Sequence, residues 1–339
     1  MTKNTKFLTI GIFIAVLAVF FGVAKNIAVS PTVPEQVEPQ VEKSEDKKAL
    51  HPMAIEALRG REYPGSNIVI EQELDKTNAY RQYIASYSSD GLKIYGLLTV
   101  PTSAKPDKGF PAIIFLHGYI PPKEYNTTKN YAGYQPMLAR NGFVTFKPDL
   151  RGHGRSEGDP VTAHFSEGYV VDTLNLVSSL QKYAEVDGDR IGVWGHSNGG
   201  ETGLRAMVSS SNIKAGVFWA GVVGSFPDML DVYTTRIPFL RDFREQPLIK
   251  EYGTPLENPD FWNQLDPYTY LKDISGPIQL HHGTRDTSVP HELSIRLKDE
   301  LEKVNKPVEY YEYRGDSHNL TRSLNPAWQR TIEFFKKNL

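Results

Sequence analysis

The pattern of apolar and polar positions divides the chain into three parts. Residues 7–24, FLTIGIFIAVLAVFFGVA, are an unbroken uncharged run. Residues 30–48, SPTVPEQVEPQVEKSEDKK, hold scarcely any large apolar side chain. From Tyr80 onward, short apolar runs alternate with amphipathic ones. YRQYIASY (80–87) and KIYGLLTV (93–100) read as a hairpin around the turn Ser88-Ser89-Asp90-Gly91. PAIIFLHG (111–118) is apolar throughout, as a strand buried on both faces must be. A helical pattern over 130–141 stops at Asn141-Gly142. Strands follow at 143–149, 190–196, 214–220, 277–283 and 307–313, with helices at 168–184, 198–210, 291–304 and 326–338.

Strands alternating with helices predict an α/β fold with a mostly parallel, doubly wound sheet and an N-terminal antiparallel hairpin. The rhythm breaks over 221–276, which holds Phe226, Phe239, Phe243, Phe261 and Trp262. So long a stretch is expected to be a small helical insertion over one end of the sheet, not a plain loop. Its aromatics are expected to form the insertion's own core or to line a pocket. Residues 50–79 give no clear pattern beyond a short helix and turn in EALRGREYPG.

Lys3 and Lys6 precede the apolar run at 7–24. Its length lies between a long signal-peptide core and a short transmembrane helix. Gly22-Val23-Ala24 offers a cleavage site, and the two lysines favour an inside N-terminus. Residues 1–29 are therefore expected to be an anchor or a cleaved signal. A buried core helix is the plain alternative, but the run has no polar face. Residues 30–48 are expected to be a solvated linker, and 49–339 the folded domain, placed outside the cytoplasm.

Composition narrows the chemistry. Of 339 residues 40% are hydrophobic and 23% charged, an ordinary globular balance. A net charge of −2 gives no basic excess for nucleic acid. The absence of cysteine excludes disulfides, thiolate metal sites and a cysteine nucleophile. No cluster of His, Asp and Glu has metal-ligand spacing, and no cofactor is expected.

One stretch carries a chemistry of its own. In IGVWGHSNGGETG (191–203), Ser197 stands between a predicted strand and a predicted helix, flanked by Gly195 and Gly199. A serine on so tight a turn sits in a strained backbone, and larger neighbours would collide. A plain tight turn is the alternative. A serine hydroxyl needs a base to take its proton and an acid to orient that base. Nine histidines compete. His318, in RGDSHNL, follows the last strand and shares an end of the sheet with Ser197. Asp286 lies four residues beyond the strand at 277–282, again at that end. Asp316, two residues before His318, is its rival. The backbone N–H groups of Asn198 and of Tyr119, in the loop after strand 111–117, are the candidate oxyanion donors. DLRGHGRSEGD (149–159) lacks the lysine–hydroxyl ending of a phosphate loop. It reads as a structured loop near the site, with Asp149 and Arg151 pairing locally. Glu201 points into the pocket to meet a cationic substrate, or is a solvated or locally paired helix residue. His282 and Arg285 are expected to pack or to position loops.

LTVP (98–101), HGY (117–119), DLRGHGRSEGD, GHSNGG (195–200), GTRDTSVP (283–290) and DSHNL (316–320) together resemble the α/β-hydrolase superfamily. Over about residues 80–339 the chain is most similar to the catalytic domain of the prolyl oligopeptidase family, including stand-alone bacterial members. The resemblance implies a Ser197–Asp286–His318 triad working through an acyl-enzyme on small esters or short peptides. Members of that family often carry a β-propeller before the hydrolase domain, whereas only about 80 residues precede it here. Ester hydrolysis is therefore the favoured expectation and peptidase activity the alternative. A catalytically silent binding module is the reading from a different class.

Overall fold

The computed structural model describes residues 49–230 and 246–339. The expected anchor (1–29), the linker (30–48) and the middle of the expected insertion lie outside the described residues. No helix among the described residues is long and apolar enough to cross a membrane.

Nine strands form one sheet in the order β1-β2-β3-β5-β4-β6-β7-β8-β9. They are β1 (Val69–Lys76), β2 (Tyr80–Ser89), β3 (Leu92–Pro101), β4 (Phe110–Leu116), β5 (Val144–Pro148), β6 (Val186–His196), β7 (Ile213–Trp219), β8 (Ile278–Gly283) and β9 (Val308–Tyr313). The pairs β1–β2, β2–β3 and β3–β5 are antiparallel. All pairs from β5 through β4 to β9 are parallel. The hairpin turn is as expected: Asp90 (φ 53°) and Gly91 (φ 79°) both take positive φ, and Ser89 pairs with Leu92.

The strand runs are apolar throughout because both faces are covered. In β4, Ala112, Ile114 and Leu116 enter one core while Ile113 and Phe115 enter another. The first core also holds Leu174 and Val177 of helix α3 (Gly168–Gln181) and Leu204 and Met207 of α4 (Asn198–Ser209). The second is aromatic: Trp194 of β6 and Trp219 of β7 meet Trp328, on the C-terminal helix Leu324–Asn338, at ring distances of 5.7 and 4.7 Å.

Three expectations need correction. The helix expected over 130–141 is only α2 (Gln135–Ala139). Tyr131 takes φ 58°, outside helical geometry, and its hydroxyl bonds to His196 instead of facing solvent. The strand expected over 111–118 ends at Leu116, where the chain turns into the loop at Gly118. Within residues 50–79, α1 (Ile55–Gly60) matches the short helix, but β1 had no clear signal. It is an edge strand with charged positions and exposed Val69 and Ile70, so it lacks the apolar run of its neighbours.

The described part of 221–276 is helical, with Pro247–Tyr252, Pro259–Leu265 and a 3₁₀ stretch at Pro267–Asp273. Phe226, Trp262, Leu265 and Ile249 form a separate small core with Met53, Val289 and Leu293.

Candidate active site

Chain direction sets the place. From β4 the chain crosses to β5 on one side and then returns to β6 on the other. Such a reversal opens a crevice at the carboxyl ends of the strands. Gly118 and Tyr119 follow β4, and Ser197 follows β6.

Ser197 has φ 55° and ψ −121°, a backbone conformation costing about 1–3 kcal/mol. Its N–H donates to Trp219 O at 3.1 Å, and its carbonyl accepts from Gly200 N (2.9 Å) and Val222 N (3.0 Å). These bonds over-determine the strained turn. Its neighbours must be glycine: a Cβ on Gly195 would stand 2.4 Å from Gly199 O, and one on Gly199 2.2 Å from Leu116 O. Asn198 is the first residue of α4, so its N–H is one of the helix's unpaired N-terminal donors.

Ser197 and Asn198 open onto a cavity of about 640 Å³, together with His117, Gly118 and Tyr119. The cavity wall includes Leu150, Val161, Ala163, Tyr169 and Val289, so most of its lining is apolar. Among the described residues, this wall comes from 150–169 and 288–289, and the aromatics of 221–276 pack elsewhere. Tyr119 is 69% exposed at the mouth.

His318 Nδ1 donates to Asp286 Oδ2 at 2.7 Å. The Asp286 bond leaves His318 Nε2 without a hydrogen bond to a described residue. The Asp286 side chain is buried, yet its other oxygen accepts from Ser288 N (2.8 Å) and Val289 N (2.9 Å). Burial alone would raise its pKa. Hydrogen bonds from His282 and His318 outweigh that and hold the carboxyl well below the usual range. The rival, Asp316, turns away from His318. It accepts from Ser317 N (2.8 Å), Arg322 N (3.3 Å) and Ser323 N (2.8 Å), closing the turn before the last helix.

Three other buried histidines bond to groups other than Asp286. His117 donates to Gly118 O at 2.8 Å. His196 Nε2 donates to the His318 carbonyl at 3.0 Å and its Nδ1 accepts from Tyr131 at 2.7 Å. Burial pushes both rings down to about 3, so they stay neutral. His281 bonds Tyr313 and Gln279 within the aromatic core.

Asp149 and Arg151 do not pair with each other. Asp149 accepts from Tyr125 at 2.7 Å and from Thr127, tying its loop to the segment after Tyr119. Lys147 Nζ donates to the same Tyr125 hydroxyl at 2.6 Å. Arg151 reaches Asp172 at 2.7 Å. Glu201 is not solvated: it is 4% exposed and paired with His164, which lines the cavity. No group of three or more His, Asp or Glu among the described residues is placed to hold a metal.

Known proteins resemble this chain in sequence and fold. Residues 130–339 match the prolyl oligopeptidase family. The chain is 29% identical over 259 residues to the uncharacterized peptidase YtmA of Bacillus subtilis (strain 168), covering 76% of this chain and 94% of YtmA. It is 27% identical over 250 residues to the putative esterase YitV of the same strain, covering 68% of this chain and 91% of YitV. The fold superposes on the crystal structure of Porphyromonas gingivalis dipeptidyl peptidase 4 with a TM-score of 0.61 at 20% identity. That match covers 77% of this chain and only 36% of the peptidase, so this chain corresponds to about a third of that protein. The family match spans well over half of the sequence, and the chain belongs to the prolyl oligopeptidase family, a family of serine hydrolases.

Proposed function

We propose that Ser197, His318 and Asp286 form the catalytic triad of a hydrolase that cleaves small carboxylic esters through an acyl-enzyme. The observation that carries this reading is the 2.7 Å bond from His318 Nδ1 to buried Asp286, at the end of the sheet where Ser197 stands on its strained turn. That bond fixes the tautomer with Nε2 unprotonated and ready as a base. Ser197 Oγ attacks the carbonyl carbon and Nε2 takes its proton. The oxyanion forms against the N–H groups of Asn198 and Tyr119, each worth about 10²–10³ in rate. The imidazolium then protonates the leaving oxygen as the acyl bond breaks. Water repeats the cycle, freeing the acid and restoring Ser197.

The apolar wall of the cavity supports an apolar acyl group, and YitV is named a putative esterase. Peptide cleavage is the second reading, supported by the resemblance to YtmA, which is named a peptidase. Ser197→Ala is expected to lower turnover of p-nitrophenyl esters at least about 10³-fold. Parallel assays on aminoacyl and peptidyl anilides separate the two readings. Ester turnover without anilide cleavage supports an esterase. Ser197-dependent anilide cleavage replaces it with a peptidase. Full activity in Ser197→Ala overturns both.

We further propose that residues 7–24 carry the domain out of the cytoplasm, as an anchor or a cleaved signal. The uncharged run behind Lys3 and Lys6 supports this. Fractionation of cells expressing the full chain tests it, and recovery in the cytoplasmic fraction overturns it.

A further inference from the structure

We propose that His282 is a positioning residue of this site: a second imidazole on Asp286 that, held by Ser294, shares the carboxylate with His318 and tempers its pull on the base. The inference rests on the triad reading above.

β8 ends in His281-His282-Gly283, and alternation sends the two rings to opposite faces. Both are fully buried. His281 goes to the aromatic core, whereas His282 goes to Asp286. A ring so buried must have both nitrogens paired. His282 Nε2 lies 3.1 Å from Asp286 Oδ2 and 3.0 Å from Val289 O. Both neighbours only accept, so Nε2 carries the hydrogen. Nδ1 then accepts from Ser294 Oγ at 2.7 Å. Ser294 is also fully buried, on the helix Glu292–Lys303 that follows β8.

Asp286 is therefore saturated in a divided way. One oxygen takes two backbone N–H groups, and the other takes two imidazoles, His318 at 2.7 Å and His282 at 3.1 Å. A carboxylate stabilises the imidazolium that forms in catalysis. Each further donor on the same oxygen disperses its charge and weakens that stabilisation. Ser294 polarises the His282 ring and strengthens its donation. Helix and base are thus joined in one chain of bonds, Ser294 to His282 to Asp286 to His318. The other titratable rings against this cluster are His196 of β6, 4.6 Å from the His318 ring, and His291, 6.4 Å edge-on to His282. His291 pairs with Glu292, and the Asp316 carboxylate faces the 317–323 turn.

The test is the pH profile of kcat/KM for p-nitrophenyl acetate, using the full chain and its variants His282→Phe, His282→Gln and Ser294→Ala. Each is checked by thermal melting and by labelling with a fluorophosphonate. His282→Phe removes the donor, so the acid limb is expected to move to higher pH by about half a unit to one unit. Ser294→Ala is expected to move it the same way by less, with KM unchanged. His282→Gln retains an N–H and is expected to keep the limb in place. If His282→Phe does not fold, Ser294→Ala decides. An unmoved limb, or a limb displaced to lower pH, overturns the proposal. Ser197→Ala runs alongside. Full activity there sinks the triad reading, whereas loss of activity there with unmoved limbs sinks only the role of His282.

Discussion

A methyl group on Gly118 would stand 3.0 Å from Ser197 Cβ and 2.7 Å from the Tyr131 hydroxyl. The loop after β4 therefore passes as close to the serine as backbone permits, the closeness that the proposed Tyr119 N–H donor requires. Gly118→Ala is expected to push this loop away. Ester kcat/KM should fall at least about 10²-fold, the loss of one oxyanion donor, while the melting temperature stays near wild type. Retained activity would show that the Tyr119 donor is not used.

Asp316 tests the choice of acid. Its carboxylate accepts three backbone N–H groups and bonds to neither ring nitrogen of His318. Asp316→Ala should cost about 1–2 kcal/mol of stability and leave kcat unchanged. Asp286→Ala should do the reverse, abolishing turnover. Denaturant unfolding beside steady-state kinetics distinguishes the two outcomes, and a collapse of kcat in Asp316→Ala would reverse the assignment.

Gly199 tests the turn itself. Its Cβ position is 2.2 Å from Leu116 O, a backbone atom at the end of the central strand β4. Gly199→Ala should destabilise the domain by more than about 3 kcal/mol. Gly60 is the control, since nothing lies within 4 Å of its Cβ position. Gly60→Ala should be neutral or stabilise by up to about 1 kcal/mol. Equal melting temperatures for the two variants would contradict this account of the glycines.

Stability should fall in mild acid. Burial holds His117, His196 and His281 down at about 3, against about 6.5 in the unfolded chain. Between these values the unfolded chain binds protons that the folded one refuses. Their contribution is complete above about pH 6.5 and is lost as pH falls toward 3. Asp266 works the other way. Burial raises it to about 6, so it favours the folded state at low pH and loses that effect as pH rises from about 3.9 to 6. Burial also lowers His51 and His153 and raises Asp149, so the rings still outnumber the carboxyls and leave a net loss on acidification. The melting temperature should drop by on the order of 10 °C from pH 7 to pH 5. The Asp286 contribution is complete above about pH 3.9 and plays no part in this window. A melting temperature flat between pH 5 and 8 would contradict neutral burial of the three histidines.

The sequence by itself determined the frame. Continuous apolar runs such as PAIIFL and IGVW occur only where both faces of a strand are covered, so β4 to β8 and their crossover helices were legible. The glycines around Ser197 were equally legible from the strand–turn–helix pattern, with Gly195 pressed by its own turn and Gly199 by Leu116 O of β4. Chain order then brought Asp286 and His318 to the same end of the sheet. Tertiary structure decided what depends on distant partners. The Asp286 carboxylate meets the ring of His318, whereas that of Asp316 faces its own turn. Glu201 is buried because His164, far along the chain, comes to meet it. The cavity takes much of its described wall from 150–169, although 221–276 holds more aromatics, since the described aromatics of that stretch turned inward to make a core of their own. The edge strand β1 escaped the pattern because a strand with one open side carries no obligation to be apolar. His282 looked like packing in sequence, and only the fold shows which carboxylate it packs against.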